Sequence, residues 1–600
     1  MVRVAVLDKL LCKPNKCNLE CIRFCPIVRS GAKAIEISED SKKPMINEIL
    51  CVGCGICVKK CPFTAITIVN LPDELEEDAI HRYGPNAFKL YRLPIPKPGM
   101  ITGIIGRNGT GKTTALRILA GELKPNLGKY GESLEWDDII RSFRGSELQV
   151  YFKKLADGKV KVAHKIQHVD LVPRYVKGKV GDLLEKADER GLAKELAKQL
   201  GLISVWDRSI EHLSGGELQK FLIAAVLLKD VDVYLFDEPC SYLDVYERLR
   251  IAKIIREHTS KRGKMVLLVE HDIAVLDYLS DNVHVIYGEP GVYGIVSHPY
   301  GVRTGINNFL DGFLPDENMK IRDEPVRFTV KPPIQRWADE KVLLEWTTMK
   351  KTLGDFKLNV EAGRIHKGEV IGILGPNGIG KTTFVRILVG ELKPEEGLTY
   401  SVEGDLKLSY KPQYVTAMIK EGVVKELIAN SCKEALDKSS WMYNEILLKL
   451  GVDKLLDRDV KGLSGGELQK VAITITLVKE ADIYLLDEPS AYLDVEERLN
   501  VAKAIRKTVE HRGAAAFVVE HDVVIQDFIA TTIMPFLGEP GVEGYAYPPM
   551  DLRSGMNKFL ETVQVTFRRD VKTRRPRVNK EGSYLDRQQK MMGEYYYVET

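Results

Sequence analysis

The chain has 600 residues, of which 44% are hydrophobic and 28% charged, and its net charge is +3 at pH 7. That length suggests roughly three or four domains, the composition fits a soluble globular protein, and the near-neutral balance singles out no partner. No uninterrupted apolar run is long enough to span a bilayer, and the first residues lack a signal-peptide pattern, so a membrane-embedded or secreted protein is not expected.

Eight of the ten cysteines lie before residue 62. This clustering reads as a cofactor site in a reducing compartment, not as disulfides. Cys51-x2-Cys54-x2-Cys57-x3-Cys61-Pro62 has the spacing that ligates a 4Fe–4S cluster in bacterial-type ferredoxins. Cys12-x4-Cys17-x3-Cys21-x3-Cys25-Pro26 is a looser version with the same ending. Two-cluster ferredoxins exchange the fourth cysteine between sites. That rule puts Cys12, Cys17, Cys21 and Cys61 on one cluster, and Cys51, Cys54, Cys57 and Cys25 on the other. Short strands are expected at 34–37 and 65–69. The alternative is structural zinc, which also takes four thiolates; the repeated Cys-x3-Cys-Pro ending favours iron–sulfur. A ferredoxin-like domain is therefore expected over residues 1–75.

Residues 100–106 read as a buried strand. It runs into Gly106-Arg107-Asn108-Gly109-Thr110-Gly111-Lys112-Thr113-Thr114 and then a helix, the context that a Walker A loop requires. There the glycines let the backbone wrap phosphates, Lys112 reaches the β/γ oxygens and Thr113 binds Mg2+. Further on, Leu213–Lys220 carries Ser214, Gly215 and Gly216 at the start of a helix. Such a terminus attracts phosphate through its unpaired donors and the helix dipole. Together these motifs resemble an ATP-binding cassette (ABC) ATPase.

That resemblance gives roles to further residues of an expected first cassette over 76–290. After the apolar run 231–236, Asp237 matches the Mg2+ position and Glu238 the base that polarises attacking water. Asp244 lies in a stretch like the D-loop, His271 matches the switch histidine, and Gln167 matches the Q-loop glutamine linked to Mg2+. Tyr83 or Phe88 would stack on adenine; an ordinary core role suits either equally.

The same set recurs. Gly375, Asn377, Gly378, Gly380, Lys381, Thr382 and Thr383 form a second Walker A, and Leu463–Lys470 repeats the signature letter for letter with Ser464, Gly465 and Gly466. Gln413, Asp487, Glu488, Asp494 and His521 fill the remaining roles in a second cassette expected over 336–540, with Phe356 as its adenine candidate. Lys112 and Lys381 lie 269 apart, Gln167 and Gln413 246 apart, and from the signature onward the offset stays at 250. The first copy thus carries 23 extra residues between Walker A and Q-loop. Trp136, Ile139, Ile140 and Phe143, then Leu148, Tyr151, Phe152 and Leu155, fall at helical spacing around Gly145. A helix–turn–helix hairpin is expected over about 132–157, with a capping box at Ser146–Gln149. It is either a surface decoration or, as functional loops on rigid frames suggest, a partner-binding element.

Gly288–Gly294 and Arg303–Leu310 recur as Gly538–Gly544 and Arg553–Leu560. These segments read as paired hinge elements, hinge 1 over 291–335 and hinge 2 within 541–600. Arg568–Lys580 holds seven basic residues and one acid. It is either a solvated face or a contact for RNA phosphates.

The chain as a whole, an α/β protein with two tandem ABC-type P-loop domains, a ferredoxin-like iron–sulfur domain and hinge segments, resembles ABC subfamily E, the RNase L inhibitor family. That resemblance implies a cytoplasmic ATPase with two 4Fe–4S clusters, ATP and Mg2+, working as a monomer whose two cassettes pair within one chain. It further implies closure on two ATP molecules, one bridging Lys112 to Ser464 and Gly466, the other Lys381 to Ser214 and Gly216. The implied partners are the ribosome, especially its small subunit, and a release-factor-type protein, with no membrane. A transporter's ATPase and an ATP-gated electron carrier are the rival functions; the first leaves the cysteine module without a use, and Cys51→Ser would isolate the second.

Overall fold

The computed structural model describes every residue except 1, 9–10, 39–41, 49, 64, 72–78, 85–86, 260–262, 323, 329–340, 402–404 and 598–600. The expected boundaries at 75/76 and 335/336 fall outside the described residues.

The N-terminal module is two small antiparallel ladders. Val2–Leu7 pairs with Ile66–Leu71, and Ile35–Ile37 with Pro44–Ile46. Ala5, Leu7, Ile35, Ile46, Ala65 and Ile66 form a core that also buries Cys21 and Cys57. Pro26 opens the helix Pro26–Arg29. Proline suits that first position, since its missing N–H would be unpaired there anyway.

Each cassette is built on a nine-stranded mixed sheet. In the first, the order is His81–Arg82, Lys89–Tyr91, Tyr293–Val296, Asn282–Tyr287, Ile101–Gly106, Met265–Val269, Val233–Asp237 and Val162–Lys165, with Tyr300–Gly301 beside Asn282–Tyr287. The last five of the main path are parallel. Helices cover both faces of such a sheet, so its strands are unbroken apolar runs; Ile101–Gly106 and Val233–Asp237 are buried along their whole length. The second sheet repeats this order around Val370–Leu374. One apolar cluster continues through the helical layers of both cassettes into the C-terminal residues Phe567, Val578 and Tyr596.

The inserted hairpin consists of helices Trp136–Ser142 and Glu147–Ala156, turning at Gly145 with φ +84°. Ile139, Phe143, Leu148, Tyr151 and Phe152 pack with Leu116 and Leu119 of the Walker A helix. The Tyr151 hydroxyl donates to the Leu119 carbonyl at 2.6 Å. The expected capping box is absent: the Ser146 hydroxyl donates back to the Phe143 carbonyl, and Gln149 accepts from the Gly145 N–H.

Two other expectations are corrected. Gly288–Gly294 and Gly538–Gly544 are not hinges: they lie within the cassette sheets, clamped on the Walker A loops. The Gly291 N–H donates to the Gly109 carbonyl at 2.9 Å and the Gly541 N–H to Gly378 at 3.0 Å. A Cβ on Gly294 would stand 1.9 Å from the Thr110 carbonyl oxygen, so only glycine fits. The basic run is a solvated face only in part: Lys572, Arg574 and Lys580 are exposed, but the inner arginines are turned inward. Arg575 is fully buried, and Arg569 and Arg577 are largely so, each paired with an aspartate. A charge repaid by buried carboxylates is invisible to composition.

Candidate functional site

The strand Ile101–Gly106 ends at the Walker A loop, and the helix Lys112–Leu119 starts from Gly111 in the left-handed region at φ +93°. Lys112 is buried, and its Nζ donates to the carbonyls of Gly106 and Arg107 and to Asn108 Oδ1 at 2.8–3.3 Å. Lys381 Nζ donates to Gly375 and Pro376 at 2.8 and 2.6 Å. Burial depresses both amines, Lys381 to about 8, against the pull of neighbouring carboxylates. Thr114 and Thr383 follow in the same helices.

The Thr113 hydroxyl donates to Asp237 Oδ2 at 2.7 Å, and Thr382 to Asp487 Oδ2 at 2.7 Å. Oδ1 of each aspartate is buried with no hydrogen-bond partner among the described residues. Burial raises both carboxyls. A threonine hydroxyl beside an unpartnered buried carboxylate oxygen is a donor set that suits Mg2+.

Glu238 and Glu488 stand one residue on, both strained into the left-handed region at φ +48°. Such strain in a non-glycine residue concentrates at functional sites. Gln167 Nε2 donates to Glu238 Oε1 at 2.6 Å, and Gln413 Nε2 to Glu488 Oε1 at 2.8 Å. The Q-loop amides therefore hold the glutamates, not the aspartates. His521 Nε2 is 3.1 Å from Glu488 Oε1, while His271 Nε2 lies 3.3 Å from Glu238 Oε1. Against the upward push of burial, these histidines and the Walker A lysines bring both glutamates down to about 2.

Sequence reasoning missed two lysines here. Lys165 Nζ donates to the carbonyls of Asp237 and Glu238 at 2.8 and 3.0 Å, and Lys411 to those of Asp487 and Glu488 at 2.7 and 3.1 Å. Burial lowers each to about 8. The signature glutamines Gln219 and Gln469 donate to the same glutamate carbonyls. A Lys-x-Gln pattern common to both Q-loops was the available signal.

Ser214 and Ser464 cap the signature helices Gly215–Leu227 and Gly465–Val478, each in a capping box with Glu217 or Glu467. Gly215 and Gly465 are exposed, and Gly216 and Gly466 half-buried, at those helix starts. The cassettes meet head to tail. Asn108 N–H donates to Asp494 Oδ2 at 2.7 Å, and Asn377 N–H to Asp244 Oδ2 at 2.8 Å. Tyr242 and Tyr492 meet edge-on, 6.4 Å apart.

Among the aromatics, Tyr83 and Phe88 come to the first Walker A and Phe356 to the second. The Tyr83 hydroxyl is 3.1 Å from Thr114 Oγ1. Phe88 and Phe356 lie beneath Gly111 and Gly380, at 2.6 and 3.1 Å from where a Cβ would sit.

In the N-terminal module, Cys12 and Cys21 interact electrostatically with Cys61 and Cys17, and Cys57 with Cys51, Cys54 and Cys25. Burial raises Cys21 to about 12 and Cys57 to about 11. Cys25, Cys51, Cys54 and Cys57 line one apolar-walled cavity with Ala5, Ile35 and Ile68. Backbone N–H groups of Ala5 and Ala65 point at the sulfurs of Cys51 and Cys61, at 3.5 and 3.4 Å. Four thiols around one apolar-walled cavity, with N–H donors to sulfur, fit a 4Fe–4S cluster.

This module touches both cassettes. Glu48 pairs with Arg82 and Lys89 of the first. Asp8 pairs at 3.1 Å with Arg458 of the second, and Arg458 also bonds Glu467 of the capping box at 3.0 Å. The counterpart Arg208 bonds Glu217 at 3.2 Å.

Residues 95–241 and 358–491 match the family described as ABC transporter, residues 2–33 the possible Fer4-like domain in RNase L inhibitor, and residues 44–67 the 4Fe–4S binding domain. An uncharacterized ABC transporter ATP-binding protein of Methanocaldococcus jannaschii is 54% identical over 100% of this chain and 98% of its own. The translation initiation factor RLI1 of Saccharomyces cerevisiae is 46% identical, over 100% and 98%. A structure described as ribosome-bound archaeal Pelota and ABCE1 contains a chain 55% identical, with TM-score 0.91, covering 100% of this chain and 99% of that one.

Proposed function

The chain belongs to the RNase L inhibitor family, the E subfamily of ABC ATPases, and from that premise we propose that it recycles ribosomes, using ATP-driven closure of its cassettes to separate the subunits. It is an ATPase carrying iron–sulfur domains. The observation that carries the ribosomal reading is the full-length likeness to an ABCE1 chain described with Pelota on the ribosome.

In each composite site the Walker A lysine, Lys112 or Lys381, holds the β/γ phosphates, and the opposing signature serine, Ser464 or Ser214, takes the far side of the γ-phosphate. Contacts made only in the closed form shift the population toward it. Thr113 with Asp237, and Thr382 with Asp487, would hold Mg2+. Glu238 and Glu488 accept the proton of the attacking water; their low pKa keeps them ionised for that task. Lys165 and Lys411 fix the carbonyls on either side of the strained turn, which aims each glutamate. His271 and His521 orient the glutamate, and Gln167 and Gln413 steady it at the same carboxylate oxygen, Oε1. Mg2+ bound there would neutralise charge on the phosphates, and the eight thiolates of the N-terminal module would hold two 4Fe–4S clusters. Asp8 and Glu48 place that module against both cassettes, so a change in the angle between them is transmitted to it. The proposed partners are the ribosome, especially its small subunit, and a release-factor-type protein.

Incubating the protein with intact ribosomes and ATP, and following light scattering, tests the proposal. A fall in scattering that needs ATP, and is lost in Lys112→Ala with Lys381→Ala, is expected. Unchanged scattering with an ATP-hydrolysing protein would overturn it.

A further inference from the structure

The two cassettes are related by a 250-residue repeat, but the arginine-rich sequence of residues 566–597 occurs once. This single segment grips equivalent residues of both halves. Arg577 forks onto Asp277, with Nε and Nη2 at 2.7 and 2.8 Å from the two carboxylate oxygens, and Arg575 adds a third bond at 3.0 Å. Asp527, the counterpart 250 residues on, receives both Nη groups of Arg569 at 2.6 Å each, together with the Tyr596 hydroxyl. Arg569 and Arg577 lie on the two opposite strands of one ribbon, Phe567–Arg569 with Pro576–Val578, where Arg568 faces Arg577 and Arg569 faces Pro576. The helices Val302–Asp311 and Leu552–Val563 are held in the same paired way. Asp570 takes Arg303 and Asn307, while Glu594 takes Arg553 and the Tyr596 N–H donates to Asn557.

Asp277 and Asp527 lie on the helices Ile273–Leu279 and Val523–Ile529. Each helix starts at an aspartate cap, Asp272 or Asp522, directly after the switch histidine. Each is a short rod with a histidine facing a catalytic glutamate at one end and a buried, forked ion pair at the other. Arg575 and Asp277 are 0% and 1% exposed, and Arg569 and Asp527 5% and 2%. Forked guanidinium–carboxylate pairs fix orientation as well as distance, and buried ion pairs are best attested as devices that set register.

We propose that this C-terminal ribbon is a coupler tying the two switch helices together, with Asp277 and Asp527 as positioning residues through which the state of one ATP site sets the histidine of the other. This deepens the two-site ATPase reading and rests on it. Physical coupling requires an element that both sites bias, and the ribbon is bonded to both.

ATP turnover is measured for the full chain, for Glu238→Gln and for Glu488→Gln. With coupled sites, the two single-site rates do not sum to the parent rate; a departure of at least about fivefold is expected, the low end of allosteric coupling. The three measurements are repeated with Asp527→Asn, which keeps the shape but weakens the fork. They are repeated again with Tyr596→Phe plus Arg553→Gln, milder changes that keep the ribbon folded should Asp527→Asn not fold. In these variants the single-site rates should sum to the rate with both sites intact, within twofold. A merely structural role would lower all three rates together and leave the departure unchanged, which would overturn the proposal. Additive rates in an active parent would overturn it as well. An inactive parent would instead sink the two-site ATPase reading.

Discussion

The backbone N–H of Asn108 donates to the Asp494 carboxylate at 2.7 Å, across 386 residues of sequence. Asn377 and Asp244 make the mirror contact at 2.8 Å. Each D-loop carboxylate also caps the helix that follows it, accepting from Glu497 or Glu247. One group thus ties the Walker A loop of one cassette to the frame of the other.

Replacing that group should uncouple the halves. A lost charge-assisted bond costs about 1.5–3 kcal/mol and a lost cap about 1 kcal/mol. Asp494→Ala should lower ATP turnover by roughly tenfold or more, a loss of about 1.4 kcal/mol per factor of ten. Steady-state phosphate release checks this; a rate equal to the parent's removes the D-loop contact from the mechanism.

Glu238→Gln with Glu488→Gln should retain ATP binding and lose turnover by about 10²–10⁴-fold, the usual contribution of a general base. Radiolabelled ATP retained on a filter, beside a phosphate-release assay, separates binding from hydrolysis. Parent-like turnover in this variant would exclude both glutamates as bases.

The pH dependence follows from opposed shifts. Glu238 and Glu488 are pulled down to about 2, against burial, by His271, His521 and the lysines. Carboxyls lowered from an unfolded value of about 4.3 contribute stability above that pH, and lose it as pH falls toward 2. Both bases therefore stay charged from pH 5 upward, and no acid limb of kcat/KM in that range belongs to them. Lys381 is lowered by burial to about 8. Its neutral form is favoured by folding, so its contribution to stability is present above about 10.4 and is lost as pH falls through 8. Phosphate binding needs the charged form. Thus kcat/KM for ATP should fall as pH rises past about 8, measured from pH 6 to 9.5; a flat profile would contradict this.

The phosphate-handling groups were legible in the sequence because each chemistry needs one residue type at one spacing. Gly111, Lys112 and Asp237 are local signals of that kind, and their strands betray themselves as unbroken apolar runs. Lys165 and Lys411 were not legible, because what defines them is burial beneath two carbonyls of a strand distant in sequence. The basic run misled for the same reason: Arg575 and Asp277 are 298 residues apart, and no local pattern announces that they neutralise each other. Gly294 looked like a hinge glycine because composition cannot tell a flexible segment from a close backbone approach.

Arg458 distinguishes the two signature helices. It bonds both Glu467 and Asp8 of the iron–sulfur module, and 16% of its side chain is exposed against 45% for Arg208. Partly exposed pairs contribute about 0–1 kcal/mol, so Arg458→Gln should hardly change the melting temperature. It should nonetheless speed amide exchange in residues 2–8 by a few-fold, since one of the three ion pairs that tie the module to the cassettes among the described residues is lost. Hydrogen exchange read by mass spectrometry checks this; unchanged exchange there would mean that Glu48 alone holds the module.

The most direct test of the central claim is sedimentation of the purified protein through a gradient with small ribosomal subunits, with and without a non-hydrolysable ATP analogue. Co-migration that depends on the analogue, and that Glu238→Gln with Glu488→Gln reproduces with ATP itself, is the predicted result. A protein that contains iron and binds ATP, yet never co-migrates under either condition, would contradict the account.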